Sequence, residues 1–511
     1  MLVDHLDSRA LMDAWPELDR SMHQLADLGR MSALLSWDQQ VLMPRKGAEG
    51  RARAVATLRV IRHRQLTDPR LGELLEEARS AELDVPRAAM VRVLAHDRDR
   101  AVKLPDDLVR RLALAGSRGQ AVWEVARKNR DWELFRPCLE EMVALKREQA
   151  DLLGHDGEAY DALMDAFEPG MKTARVEPLF ASLADELQAL RGAIAHAGPP
   201  RQPLYAGKVF PESVQWDFTM RILRDIGFDL DAGRQDLSAH PFTTTIALHD
   251  IRLTTRMDES DPFSAISSTL HEAGHGLYDQ GFDPQYEDTP IAEAPSLGLH
   301  ESQSRLWENL VGRSLPFWQH YTPVMREMFG DVMGDAGPED IYREVNRVQP
   351  SLIRVEADEV TYNLHILIRF ELELALLRGQ LEVADLPGEW DAAYDRRLGV
   401  RPPHPGVGVL QDVHWSSGSF GYFPTYTLGN LYSAILWERI AADLPDIDGQ
   451  LGRAEFAPLL DWLRTRIHRP GHIHEGDDLI NEVTGSRLQH GPFMRYLWGK
   501  FGPLYGVEAP A

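Results

Sequence analysis

Between Ser264 and Gln280 the chain carries His271-Glu272-Ala273-Gly274-His275, an HExxH pentapeptide in a run whose apolar residues keep helical spacing until Gly281. On a helix, positions i and i+4 project from one face, so the two imidazoles can meet a single Zn²⁺ at bond lengths of about 2.0–2.1 Å. Glu272 lies beside them, where a carboxylate can take a proton from water acidified by zinc and pass it to a departing amine. That is the chemistry of peptide hydrolysis. With 19 histidines in 511 residues, a chance HExxH arises in roughly a few per cent of such chains, so the pentapeptide does not decide the matter by itself.

A catalytic zinc needs a third protein ligand and an open position. After a loop punctuated by Pro290 and Pro295 comes Leu297-Gly298-Leu299-His300-Glu301-Ser302-Gln303, opening a helix expected to reach Arg313, and Glu301 on it is assigned as the third ligand. His300 on the same turn is a rival. Glu293, Glu287 and Asp288 are weaker rivals, because loops position ligands less rigidly than helices.

The elements that must position these residues are mostly helical. Apolar residues recur three and four apart over 9–30, 49–66, 104–129, 132–154 and 173–197, and again over 263–280, 297–313, 337–349, 351–378 and 425–442. Clusters such as Gly198-Pro199-Pro200 mark turns. Only 242–256, where Thr and Ile crowd two short runs around His249-Asp250, reads as a β-hairpin. The expected fold class is mainly α: a large helical body carrying one small antiparallel β-ribbon. Trp15, Leu34, Leu35 and Trp37 read as core, and Arg62-His63-Arg64 as a solvated face. No interdomain linker or fixed-period repeat is visible, so 1–511 is expected to be one peptidase domain, with 1–200 a helical wall beside the site and 201–511 supplying the site itself.

Composition narrows the partners. Against 55 basic residues stand 79 acidic ones, a formal charge of −24, which repels phosphates and anionic lipid and disfavours nucleic-acid and membrane roles. Cys138 is the single cysteine, so an internal disulfide is impossible and a reducing compartment fits. The chain opens without an apolar signal core, and nowhere do about 18 apolar residues follow one another, so the cytoplasm is expected.

Six ordered motifs give the chain a family likeness. They are His240-Pro241-Phe242; DxRxT at 250–254; HExxH at 271–275; His300-Glu301-Ser302-Gln303; IRxxAD at 353–358; and GxxQDxHW at 408–415. With Leu35-Ser36-Trp37-Asp38 and Met43-Pro44 near the start, the sequence resembles the metallocarboxypeptidases of the thermostable carboxypeptidase Taq type over roughly residues 30–500. The resemblance implies removal of single residues from peptides with a free C-terminal carboxylate, a divalent ion (Zn²⁺, with Co²⁺ or another divalent metal as alternatives), a helical gluzincin-like fold with a deep cleft, and a homodimer. It points to Arg354 for the terminal carboxylate, since arginine's planar fork matches a carboxylate bidentately. From spacing alone, Arg354 and Asp358 could equally be an i,i+4 ion pair on a helix.

Similar His-then-Tyr arrangements in related helical gluzincins imply Tyr422 as donor to the oxyanion, with His414 contacting substrate and Tyr426 packing or making a lesser contact. The glycines around Tyr422 could let that segment move. The ribbon edge could pair with an extended peptide backbone, with His240, Asp250 and Arg252 in supporting roles. Two other functions stay open: an endo-acting or dipeptide-releasing zinc oligopeptidase, and a non-catalytic helical scaffold.

Overall fold

The computed structural model describes residues 4–198 and 203–509, with side chains of the first helix from Trp15 onward; Pro199 and Pro200 of the expected turn lie outside them. Helices α1 (Asp4–Val41), α2 (Ala48–Leu66), α3 (Pro69–Arg79) and α4 (Val85–Val102) come first. Their Leu18, Met22, Leu25, Leu66, Leu71, Leu74, Leu75 and Leu94 form a small core of their own, which Ile291 joins from a much later loop. Trp37 is buried, but Leu34 is 41% exposed, against the expectation that it is core. Along α1 the apolar residues outnumber those that one buried stripe can hold.

The main core starts with α5 (Asp106–Asn129), α6 (Trp132–Leu153), α7 (Ala159–Met164), α8 (Thr173–Ala197) and α9 (Glu212–Asp225). Aspartates set several starts: Asp68, Asp84 and Asp131 accept from the backbone N–H groups of Arg70, Arg87 and Leu134 at the heads of α3, α4 and α6.

The expected hairpin is present as β2 (Thr243–Ala247) and β3 (Asp250–Thr255), antiparallel. A third strand, β1 (Gly233–Leu237), pairs with β3 in parallel, giving the order β1-β3-β2. Its sequence GRQDL has no β-branched residue, so nothing local announces it. What holds it is polar: buried Gln235 donates to Thr219 and accepts from Thr269 Oγ1 at 3.0 Å.

Beyond the sheet run α10 (Pro262–Asp279), α11 (Leu297–Arg305), α12 (Leu315–Phe329), α13 (Pro338–Val345), α14 (Tyr362–Leu377), α15 (Leu386–Leu398), α16 (His414–Ser417), α17 (Pro424–Asp443), α18 (Ile447–Gly452), α19 (Ala457–Leu463), α20 (Gly476–Thr484) and α21 (Gly491–Tyr505). The helix expected over 297–313 passes from α geometry to a π-helical stretch at Leu306–Val311. The helix expected over 351–378 is a correction: Arg354–Glu356 make one 3₁₀ turn and the α-helix begins only at Tyr362. Asp358 stops it from extending backwards, since its carboxylate accepts from the N–H groups of Gln349, Val360 and Thr361 and from the Thr361 hydroxyl. Arg354 and Asp358 are therefore not an i,i+4 helical pair.

Helix α11 is seated by glycines on both neighbours. A Cβ at Gly274 of α10 would stand 2.5 Å from the Gln303 carbonyl oxygen and Ser304 Cα, and one at Gly429 of α17 would stand 2.5 Å from Glu301 Cγ. Backbone cannot step aside as a flexible side chain can, so Gly274→Ala should cost about 1–3 kcal/mol of stability. It should also loosen the hold on a metal ion. Thermal unfolding and metal content after dialysis check this; a variant as stable and as metal-retentive as the parent would show that α11 is free to shift.

Candidate metal centre

Helix α10 starts where Asp261 accepts from the Phe263 N–H at 3.0 Å, with Pro262 in its first turn. Its apolar face, including Ile266, Leu270, Ala273 and Leu277, is buried, which turns His271 and His275 together to the opposite side. Helix α11 is capped twice. Ser296 Oγ accepts from the Leu299 N–H at 3.1 Å, and the buried Glu168 carboxylate accepts from the Gly298 N–H. The result brings three ligand atoms within 4.8 Å of one another: those of His271, His275 and Glu301. Glu301 Oε2 is 3.6 Å from His271 Nε2 and 3.3 Å from His275 Nε2. Bonds of about 2.0–2.2 Å in a tetrahedron place ligands roughly 3.3–3.6 Å apart, so the set fits a four-coordinate ion.

For His271 the surroundings fix which ring nitrogen is left to hold an ion. His271 Nδ1 is 2.9 Å from Glu308 Oε2, which leaves Nε2 for the metal. His275 stacks on His300 with ring centroids 4.3 Å apart. Burial, then the neighbouring His300, push its ring down to about 4, so it is a neutral donor. His300, the rival ligand, turns instead to Asp279 at 3.0 Å. Glu287 and Asp288 are taken by α1: Arg30 pairs with both, and His23 Nδ1 is 3.4 Å from Asp288. Glu293 is exposed and outside the cluster.

Glu272 is 6% exposed. Thr243 of β2 donates to its Oε2 at 2.7 Å and lies 3.0 Å from its backbone carbonyl, so the edge strand of the sheet is fastened directly to the HExxH motif. Burial, together with the carboxylates of Glu301 and Glu308, pushes its carboxyl up.

The other ribbon residues brace it. Arg252 binds Asp250 bidentately at 2.8 and 2.9 Å, and its guanidinium lies 4.2 Å from the Trp37 ring centroid. Thr254 Oγ1 accepts from the Phe242 N–H and the Ser238 hydroxyl, which shapes the turn containing His240. His240 itself is exposed. It lines an open cavity of about 550 Å³ with Trp123, Arg127, Lys128 and His404, and no triad residue borders that cavity.

A second polar group adjoins the triad. Arg354 is buried; its Nε donates to Asp412 at 3.0 Å and its Nη1 to the Tyr362 hydroxyl at 3.3 Å. Asp412 also accepts from Arg369 at 2.6 Å, and although burial opposes it, these two guanidiniums hold its carboxyl well below the usual range. Tyr426 lies beneath Arg354, 4.9 Å from the guanidinium carbon, and its hydroxyl is 3.3 Å from His414 Nε2. Burial and Arg354 push the His414 ring down to about 4, leaving it neutral. Tyr422 packs against Phe167, His414 and Tyr426, and burial raises its phenol to about 12, so it is a proton-bearing donor.

Several contributors were not singled out from sequence. Glu308 and Arg305 stand seven and four positions after Glu301, on the same helical face, so spacing could have found them. Arg305 Nε donates to Glu301 Oε1 at 2.7 Å and its Nη2 to the Tyr362 hydroxyl at 2.8 Å. Thr243 and Tyr362 carry no local signal; only the tertiary fold brings them in.

Known proteins resemble this chain over nearly its whole length. Residues 17–501 match the carboxypeptidase Taq (M32) metallopeptidase family. Thermostable carboxypeptidase 1 of Thermus thermophilus is 46% identical over 505 residues, covering 96% of this chain and 98% of that one. Carboxypeptidase 1 of Bacillus subtilis is 36% identical, covering 93% and 95%. The crystal structure of the M32 carboxypeptidase from Deinococcus radiodurans R1 superposes with a TM-score of 0.94 at 41% identity, covering 97% of this chain and all of that one. The triad, the helical fold and the matched length together place this chain in the carboxypeptidase Taq (M32) family of metallopeptidases, as a metal-dependent carboxypeptidase.

Proposed function

We propose that the enzyme releases single amino acids from the free C-termini of peptides with broad specificity, using Zn²⁺, or Co²⁺ in its place, held by His271, His275 and Glu301. The observation that carries this reading is the placement of Arg354. Its guanidinium is linked through one phenol oxygen to Arg305 and so to Glu301. Its Nη2 has no protein partner among the described residues, which leaves a donor for the terminal carboxylate.

When bound, the ion supplies Lewis-acid polarisation of the scissile carbonyl and acidifies water. Glu272 takes the proton and later hands it to the leaving amine; Thr243 fixes its Oε2, leaving Oε1 as the working edge. Tyr422 donates its hydroxyl hydrogen to the developing oxyanion, and neutral His414 contacts the substrate beside it. Tyr426, held by His414 and Arg354, is the lesser contact. Strand β2 is an edge of the sheet, and its backbone suits an extended peptide independently of side chains. Asp250, Arg252 and His240 act through the ribbon they brace.

In this reading residues 1–511 are one peptidase domain, with 1–200 as a wall of the cleft, and the enzyme works as a homodimer. The lone cysteine supports a cytoplasmic setting. The charge of −24 disfavours nucleic acid, and among the described residues no helix is long and apolar enough to cross a membrane.

Glu272→Gln should keep its metal while turnover falls by on the order of 10²–10⁴, whereas Glu301→Ala should lose metal as well; equal metal loss in both would contradict the division of roles. Chelation should abolish activity, and Zn²⁺ or Co²⁺ should restore it, unlike in a non-catalytic scaffold. Arg354→Ala should lower kcat/KM on free-carboxylate peptides by about 2–5 kcal/mol and leave metal content intact. N-blocked dipeptides should be cleaved and their C-terminal amides should be poor substrates. Cleavage confined to internally quenched, C-terminally blocked peptides would instead establish the endo-acting alternative.

A further inference from the structure

The segment from His414 to Tyr422 carries two of the residues assigned to the substrate, yet it contains three serines and two glycines and only one turn of helix. Glycine here is not a sign of motion. Gly421 has φ +89°, and a Cβ on it would stand 2.7 Å from Met164 N and 2.8 Å from Leu163 C. The backbone is pressed against α7 at a place where a side chain has no room.

Both ends of this segment reach one buried group. Glu373 of α14 is fully buried. Its Oε1 accepts from the Trp415 indole N–H at 2.8 Å, and its Oε2 accepts from the Gly421 N–H at 3.1 Å and from the Tyr160 hydroxyl at 2.8 Å. Trp415 directly follows His414, and Gly421 directly precedes Tyr422. Among the described residues no arginine or lysine is hydrogen-bonded to this carboxylate; three donors satisfy it. Retaining a carboxyl group in such a place carries a desolvation cost that an apolar residue would avoid, and what that cost secures is the relative placement of two substrate-facing side chains.

We propose that Glu373 is a positioning residue for hydrolysis, clamping the His414–Tyr422 segment at both ends so that the Tyr422 hydroxyl and the His414 ring are held at the reacting carbonyl before substrate arrives. The proposal rests on the assignment of Tyr422 and His414 given above. Glu373 touches no substrate; it acts through the geometry of the segment. Since misplacing a reacting group by about 1 Å can cost on the order of a hundredfold in rate, a clamp of this kind affects turnover more than binding.

The chemistry of the three donors sets the test. Glu373→Gln preserves size but turns one oxygen into an N–H₂ group, which must face either the Trp415 or the Gly421 N–H, so one end of the segment is released whichever way the amide lies. Tyr160→Phe also removes a hydrogen bond to the same carboxylate, but leaves both segment contacts in place. Glu373→Gln should retain metal and lower kcat by about ten- to a hundredfold with KM within about twofold, while Tyr160→Phe keeps the parental kcat.

In a Tyr422→Phe background Glu373→Gln should have a smaller further effect, because one of the two groups it positions is already gone. Parental kcat in a folded, metal-loaded Glu373→Gln would overturn the proposal. So would an equal loss in Tyr160→Phe, or a full additional loss in the Tyr422→Phe background. If Glu373→Gln does not fold, Trp415→Phe, which frees one end and leaves the carboxylate intact, carries the same expectations. A parental kcat in Tyr422→Phe alone would overturn the assignment of Tyr422, and the proposal with it.

Discussion

The carboxylate of Glu301 lies almost wholly out of solvent, and an ionised group so placed costs several kcal/mol unless it is paired. Much of the architecture around the metal triad answers that cost. Arg305 meets Glu301 from the next helical turn and also lies 3.3 Å from Glu308, which Arg313 approaches from the other side at 3.1 Å. Farther along, Asp412 sits between Arg354 and Arg369. The Tyr362 hydroxyl, accepting from Arg305 and Arg354 together, joins the two sets. Charges of opposite sign alternate through the buried site, and each fixes the rotamer of the next. The candidate ligands and the side chains around them are thereby held in place before anything binds, which is the condition for a preorganised site.

The same site is fastened to the rest of the molecule by contacts of modest size. Trp37 under Arg252 ties α1 to the central strand, and Thr243 ties the edge strand to Glu272. Arg30 and His23 hold the loop between α10 and α11 through Glu287 and Asp288, while Ile291 from that loop enters the N-terminal core. The first helix therefore reaches the catalytic region at two separate points, one on the sheet and one on the loop that leads to Glu301.

Sequence conveyed the parts of this that depend on spacing. HExxH on an amphipathic run, a capped helix presenting Glu301, and the Thr-rich hairpin follow from periodicities of 3.6 and 2 residues and emerge as expected. Where tertiary hydrogen bonds override local preference, sequence fell short. β1 is built on a buried glutamine rather than on β-branched residues. The stretch before α14 looks helical, yet Asp358 holds it as a cap. Arg354 illustrates the same limit: its partner is Asp412, 58 positions away, and not Asp358. Nor does sequence tell that His300, the rival on the same turn, stacks on His275 and turns to Asp279.

Gly274 and Gly429 contribute no donor, acceptor or charge, yet α11 lies between them with main chain and the Glu301 stem at contact distance. A survey that ranked positions by reactive groups would pass over both. Neither position can take a methyl group without moving the main chain of α11 or the stem of Glu301. What the metalloenzyme can least spare includes a pair of hydrogens where other residues carry a methyl group.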